Sequence, residues 1–363
     1  MKVLHLGQTI GGLDTYIRNV CRTMPRSVNF IIVHGNEDNS KSFYNCEGDL
    51  IVEHLVPLYR RINLFHDIAT FFKVLKIVYR FKPTIIHAHS AKGGFFGRII
   101  GFLTRIKTFY TPHAFSFLAS PNPMISSLFL FVERATRFNA NLLACSESER
   151  DIGVSRVGYR TERALVWSNS VPDIYGKVED YKAKERFVCS VGRPSYQKNT
   201  RFLINAVASV VKLIPDFKLY ILGVGYHSPE LENVKKLIEN FGIGNNVLLL
   251  PWVDQEEVLS IINASEFYVS SSRYEGLPLS VLEAMSLGKA IVATSVFGNV
   301  DCVIDQENGF LVSQEEELFS KAIINLWVDE NLKRQFGKQS RKIYEERFDL
   351  SNTINNLLFI YSH

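Results

Sequence analysis

Apolar residues come in short runs along this chain, and each run is followed by a longer stretch with helical spacing. In the first half the runs are Lys2–Leu6, Asn29–His34, Thr84–His89, Thr108–Tyr110 and Leu142–Cys145. After a junction at Val166–Val171 the pattern resumes with Phe187–Val191, Lys218–Leu222, Val247–Leu250, Glu266–Ser270 and Ala290–Ala293. Short continuous apolar runs predict strands buried on both faces, and their alternation with helices predicts parallel sheets. Two rounds of it predict two doubly wound α/β domains, 1–169 and 170–347, with the polar Ser168–Pro172 stretch as a hinge. Near the end, Glu330–Glu346 reads as one helix, broken at Phe348–Leu350. Ser351 can then cap a last helix through Tyr361, which makes 348–363 a separate element.

A length of 363 residues, 46% of them hydrophobic, supplies a core for each domain. No uncharged apolar run reaches about 18 residues, and the start lacks a basic, apolar secretory leader, so a cytoplasmic location is expected. Cys21, Cys46, Cys145, Cys189 and Cys302 are an odd, scattered set without C-x-x-C spacing, which predicts reduced core thiols rather than disulfides or a zinc site.

Charge is uneven. Residues 1–170 carry 21 Lys and Arg against 12 Asp and Glu, whereas residues 171–363 carry 20 against 25. No nucleic-acid-binding pattern accompanies the basic half, so nucleic acid is not an expected partner. Two stretches, Leu58–Lys82 and Gly94–Tyr110, interleave Lys and Arg with aromatic and aliphatic residues. They fit amphipathic helices lying on an anionic membrane surface, and equally ordinary helices whose apolar faces enter the core.

Ligands of open parallel sheets bind beyond the carboxyl ends of strands. Among the residues there, the segment Arg273–Gly288 (RYEGLPLSVLEAMSLG) carries the most chemistry. Pro278 suits the first position of a helix that stops near Gly288. Amides of Gly276, Leu277 and Leu279 would gather at its positive end and offer a seat to a phosphate. Glu283 falls roughly 7 Å further along the axis. Glu275 and Glu283 thus bracket an anion site, and as like charges they suit neutral sugar hydroxyls better than the phosphate itself. Arg193 and Lys198 flank the turn after Phe187–Val191, where they could clamp a diphosphate or simply be solvated. Gly223, Gly225 and Trp252–Val253 follow the next two strands, placed to wall a base and ribose. In the first half, Gly7, Gly11 and Gly12 allow either close approach to a ligand or a plain tight turn before a helix from Thr15. His113 follows Thr108–Tyr110, in a structural or a chemical role, and Ser146 occupies the matching place after Leu142–Cys145.

As a set these residues resemble the family 4 retaining glycosyltransferases. The resemblance rests on Gly11–Gly12, TPHAF with His113, VGRPSYQKN, and above all EGLPLSVLEAMSLGKAIVATSVFGN followed by ENGFLV. It spans nearly the whole chain and is most specific in the second half. It implies the GT-B fold: two Rossmann-like domains facing each other across a cleft, with a C-terminal helix crossing back to the first. It further implies that Arg193 and Lys198 hold the donor diphosphate, Glu283 the ribose and Glu275 the donor sugar, with amides after Glu275 on the distal phosphate. Gly12 would close on the donor from the first domain, and His113 would lie near the reacting sugar. The family transfers sugar with retention. No Asp-x-Asp metal motif occurs, so no cofactor and no metal are expected, fixed cations and helix-end amides standing in. Two departures from the family pattern are Asp14, where Glu is usual, and Phe297–Asp301 in place of GG-x-x-E. YTPHAFSF further resembles enzymes of bacterial surface polysaccharides. That points to a UDP-sugar donor, a polyprenyl-diphosphate-linked glycan acceptor and a membrane-peripheral location. Two other readings stand beside it, a GT-B nucleotide-sugar 2-epimerase and a non-catalytic nucleotide-binding partner subunit.

Overall fold

A computed structural model describes residues 1–35, 41–59, 62–138, 140–225 and 228–363. The chain separates into two compact units, Met1–Pro172 with Leu350–His363, and Asp173–Asp349. Unit 1 contains β1 (Lys2–Leu6), α1 (Gly12–Thr23), β2 (Asn29–Gly35), β3 (Val52–Val56), α2 (Leu64–Phe81) and β4 (Ile85–His89). It continues with α3 (Ser90–Thr104), β5 (Lys107–Thr111), α4 (Pro123–Ala135), β6 (Asn141–Ala144), α5 (Glu147–Ile152) and β7 (Ala164–Val166). Unit 2 contains β8 (Val188–Val191), α6 (Thr200–Leu213), β9 (Leu219–Val224), α7 (Leu231–Asn240), β10 (Val247–Pro251) and α8 (Gln255–Ala264). Then come β11 (Tyr268–Ser270), α9 (Leu279–Ser286), β12 (Ile291–Thr294), β13 (Gly309–Val312), α10 (Glu316–Val328) and α11 (Glu330–Arg347). The last helix, α12 (Leu350–Ser362), belongs to unit 1.

Both sheets are parallel and doubly wound, ordered β3-β2-β1-β4-β5-β6-β7 and β10-β9-β8-β11-β12-β13. Strand order reverses between β1 and β4 and between β8 and β11, and loops at such switch points form the natural ligand crevice. Alternation along the strands sorts the residues of unit 1. Leu4, Leu6, Ile86 and Ala88 pack on Val74 and Val78 of α2 and Phe96 and Ile100 of α3, which leaves His5, His87 and His89 to the opposite face. There α12 packs on α1 and the sheet: Tyr361 meets His87 at 2.6 Å, Trp167 donates to the Thr353 carbonyl at 3.0 Å, and the Leu350 amide donates to the Val171 carbonyl at 3.0 Å. In unit 2, Ile221, Val269 and Val292 pack with Leu203 and Val207 of α6 and Phe319 and Ile323 of α10.

Several expectations are corrected. Helix α1 starts at Gly12 rather than Thr15, because Gly11 takes φ 62° and serves as its N-cap. Pro278 is the N-cap of α9 rather than its first residue, and α12 starts one residue before Ser351. Strands β3, β7 and β13 were not foreseen. In the stretch Gly94–Tyr110, Gly94, Gly97 and Gly101, with Gly93 just before them, bring α3 so close to the sheet that a Cβ on Gly94 would lie 2.1 Å from the Tyr110 ring, while Phe102, Leu103 and Arg105 stay exposed. Arg98 beside the glycines is fully buried, paired with Glu133 at 2.9 Å and lying 4.1 Å over the Tyr110 ring. In the stretch Leu58–Lys82, Arg60 and Arg61 lie outside the described residues, while α2 turns Val74 and Val78 inward and Phe65, Ile68, Phe72, Lys76 and Tyr79 outward. Of the five thiols, Cys46 is exposed rather than in a core. Among the described residues no helix is long and apolar enough to cross a membrane.

Candidate active site

The two switch-point loops of unit 2, after β8 and after β11, are laced together by their backbones. The Arg273 amide donates to the Gln197 carbonyl at 2.8 Å, Ser271 Oγ to the Lys198 carbonyl at 2.8 Å, and the Arg273 guanidinium to the Tyr196 carbonyl at 2.8 Å. At the knot sits Glu275, buried and ion-paired with Lys198 Nζ at 2.7 Å. Ser272 Oγ donates to the same carboxylate at 2.7 Å and Gln197 Nε2 at 3.0 Å. Such charge-assisted bonds engage both oxygens and hold the carboxylate oriented. The loop after β12 backs it. The Glu275 amide donates to the Phe297 carbonyl at 2.9 Å, and a Cβ on Gly298, at φ 85°, would come within 2.7 Å of Glu275 Cβ. The sequence shows neither Gln197 nor Ser272 as a partner, and it separates Lys198 from Glu275 into different roles.

Directly after Glu275 come Gly276, Leu277 and Pro278, all buried, and Leu279 opens α9. The helix ends near Gly288 as expected: Ser286 is its last residue, Leu287 its C-cap, and Gly288 follows with φ 68°. Glu283 projects from its second turn, buried, with Gln255 Nε2 donating to Oε1 at 2.7 Å. Burial pushes its carboxyl up to about 8, and the Gln255 bond opposes that rise. Gln255 opens α8, two residues beyond Val253, so the loop after β10 reaches α9. Gly223, at φ 89°, lies within β9 rather than after it, since the strand runs on to Val224, and it sits beside the chain after β8: a Cβ there would lie 3.7 Å from the Arg193 amide. Arg193 stands within electrostatic reach of Tyr274. Arg193, Lys198, Gly223, Val253, Glu275, Gly276, Leu277, Pro278, Leu279 and Glu283 thus all belong to unit 2, Gly223 within β9 and the others on loops after β8, β10 and β11 and on α9.

Gly12 and His113 lie in unit 1. His113 follows β5 with φ 52°, and Ala114 has φ 76°, consecutive left-handed conformations that need outside support in non-glycine residues. Glu149 supplies it: one oxygen accepts the Ala114 amide at 2.7 Å and the other the Cys145 amide at 2.9 Å. Ser146, singled out by its place after β6, caps α5 by accepting the Glu149 amide at 3.1 Å. The histidines His5, His87 and His89 bring nitrogens within 4.8 Å of one another. All of these nitrogens except His5 Nε2 are already engaged in hydrogen bonds, as at His5 Nδ1···His89 Nε2, 2.8 Å, so a metal would have to break that network.

Solved structures share this architecture over the full chain. Sucrose-phosphate synthase from Thermosynechococcus elongatus superposes with a TM-score of 0.81 at 17% identity, covering 99% of this chain and 98% of its own. The Anabaena protein HepE, crystallised with UDP and glucose, gives 0.81 at 19% identity over 100% of this chain and 99% of its own. The fold is therefore GT-B, with two Rossmann-like units. Sequence comparison goes further: residues 10–173 match the model for Glycosyltransferase Family 4 and residues 174–343 the model for glycosyl transferases group 1. Relatives include an Escherichia coli UDP-Gal:α-D-GlcNAc-diphosphoundecaprenol α-1,3-galactosyltransferase, 25% identical over 86% of this chain and 84% of its own. Another is the Staphylococcus aureus capsular polysaccharide biosynthesis glycosyltransferase CapM, 27% identical over 82% of this chain and 81% of its own. The chain belongs to the family 4, group 1 glycosyltransferases, and it is a glycosyltransferase.

Proposed function

We propose that this enzyme transfers a hexose or N-acetylhexosamine, with retention and without a metal, from a UDP-sugar to a polyprenyl-diphosphate-linked glycan of a bacterial surface polysaccharide. The observation that carries the reading is the ion pair of buried Glu275 with partly exposed Lys198 just ahead of α9. It puts an oriented carboxylate, a cation and helix-end amides side by side, the groups that a sugar diphosphate needs. The E. coli relative, named for UDP-Gal and a diphosphoundecaprenol-linked sugar, supports the choice of donor and acceptor.

In this reading Arg193 and Lys198 neutralise the diphosphate. Lys198 keeps Glu275 with one N–H and has two more to offer. Amides of Gly276, Leu277 and Leu279 meet the distal phosphate, and Pro278 sets the entry into α9. Glu275 accepts hydroxyls of the sugar, Glu283 those of the ribose, and Gly223 and Val253 wall the nucleoside. Gly12 and His113 serve the sugar from unit 1. The acceptor hydroxyl oxygen bonds to the anomeric carbon on the face from which the diphosphate departs. The carbon–oxygen bond to phosphate breaks, and the hydroxyl proton passes to a leaving phosphate oxygen. Cations and amides stabilise the charge that develops there. The outward Phe65, Ile68, Phe72 and Tyr79 of α2, edged by Lys73, Lys76 and Arg80, support docking on the anionic inner face of the cytoplasmic membrane.

Thermal unfolding with UDP, GDP or ADP tests the donor site. UDP selectively raises the melting temperature, by about 2.7 kcal/mol of added stability at a hundredfold excess over Kd. Lys198→Met loses most of this shift and lowers kcat roughly 10²–10³-fold. No shift with any nucleotide would overturn the reading, and a sugar altered at one carbon without nucleotide release would indicate the epimerase instead.

A further inference from the structure

Three imidazoles of unit 1 form a chain. His5 Nδ1 meets His89 Nε2 at 2.8 Å, and His89 Nδ1 meets His113 Nε2 at 3.1 Å. The ring planes are tilted from parallel by only 12° and 27°, with centres 5.1 and 5.3 Å apart. His5 and His89 are fully buried, and His113 reaches the surface. Burial lowers the pKa of all three, that of His5 and His113 to about 3, and each ring stays neutral in ordinary buffers.

A neutral imidazole has one proton, donating from one nitrogen and accepting at the other. Two arrangements therefore satisfy both bonds. In the first, His5 donates from Nδ1, His89 donates from Nδ1, and His113 carries its proton on Nδ1. In the second every proton moves to Nε2, and His113 Nδ1 is bare. The buried end of the chain selects between them. His5 Nε2 has no hydrogen-bond partner among the described residues, and the Phe30 ring packs 5.4 Å away, centre to centre. The second arrangement would leave a buried N–H without an acceptor there, the rarer and costlier defect; the first leaves only a lone pair. His87, wedged beside both rings, cannot rescue the second. Thr111 Oγ1 donates to the Leu143 carbonyl at 2.7 Å and so must accept from His87 Nε2 at 2.8 Å. His87 Nδ1 then accepts the Tyr361 hydroxyl at 2.6 Å.

We infer that His5 and His89 are positioning residues: they fix His113 in the tautomer that presents Nδ1–H, making it a standing hydrogen-bond donor to an oxygen of the bound sugar rather than a base. Glu149 completes the arrangement by fixing the backbone of the same loop. The tautomer follows from unit 1 alone, while the sugar as acceptor rests on the function proposed above.

Long-range ¹⁵N–¹H correlation spectra of histidine-labelled protein read the tautomers without any assay. His113 is expected with its proton on Nδ1 and His87 with its proton on Nε2; a proton on His113 Nε2 in the wild type would overturn the inference, whatever the variants do. In His5→Phe the His113 signals should show both tautomers. That variant should also lower kcat about tenfold or more at little changed KM for the nucleotide-sugar. His5→Asn, whose amide N–H replaces Nδ1–H, should restore both. If the tautomer is as expected but neither His5→Phe nor His113→Ala alters turnover, the donor role at the sugar is overturned, while the Lys198→Met test of the diphosphate site stands separately.

Discussion

The carboxyl edge of one sheet is lined by imidazoles that burial keeps uncharged, and that of the other by a cation and two carboxylates. Both are buried polar clusters on the same doubly wound frame, yet they respond oppositely to protons. A neutral relay binds through fixed dipoles and resists gaining charge. The other edge couples its charge to whatever it holds. Stability should therefore fail in unit 1 on the acid side and weaken in unit 2 on the alkaline side.

The largest test of this contrast is acidification. His5, His87 and His89 have pKa values in the folded state far below 6.5, so the unfolded chain binds protons that the folded one refuses. Their contribution is complete above pH 6.5 and is lost as pH falls below it, by roughly 1.4 kcal/mol per pH unit each, or about 4 kcal/mol together at most. Denaturant melts between pH 7 and 5, with hydrogen exchange to locate the opening, should show unit 1 loosening first; a unit that opens last in acid would break the comparison.

Glu283 gives the opposite slope. Its folded pKa of about 8 exceeds the ordinary 4.5, so its contribution to stability is complete below pH 4.5 and lost as pH rises through 8. Ribose hydroxyls need the ionised form, hence UDP affinity should climb with pH by up to about tenfold per unit below 8, with protons released on binding. Calorimetry in two buffers measures both, and Glu283→Gln should give weaker, pH-independent binding. The smallest effect concerns the outer surface. Lys76→Gln on α2 should weaken binding to anionic vesicles by about 1 kcal/mol, roughly fivefold, and added salt should shrink the difference. Equal binding to uncharged vesicles would remove the electrostatic part of docking, and no binding to either would remove membrane docking from unit 1.

The central strands were legible because burial on both faces makes them continuous apolar runs, as in Ile85–His89 and Val188–Val191. The three missed strands, β3, β7 and β13, are sheet edges. With a partner on one side only, they tolerate residues such as Glu53 and His54 and lose the apolar signal. β10, the fourth edge, was legible because it kept Leu248 and Leu249. In the site, Lys198, Glu275 and Glu283 could be found from their places after strands and on the helix behind a Gly-Leu-Pro turn. Gln197, Ser272, Gln255 and Glu149 could not, since each works by holding another residue and nothing local marks it. Two histidines on one face of an otherwise apolar strand, His87 and His89, were the available clue to the relay. Arg98 misled in the other direction: a charge in an apolar helix reads as a surface residue until Glu133, 35 positions on, supplies its partner.

Helix α12 is made after unit 2 but covers a sheet made before it. While a ribosome adds the 177 residues Asp173–Asp349, the face of unit 1 that holds His87 waits without Tyr361, for roughly 10–35 s at ordinary elongation rates. The nascent chain thus carries that face uncovered throughout the synthesis of unit 2. Recombinant yield should depend on chaperones that shield that face, and on elongation speed between the two units, more than on the stability of the finished enzyme.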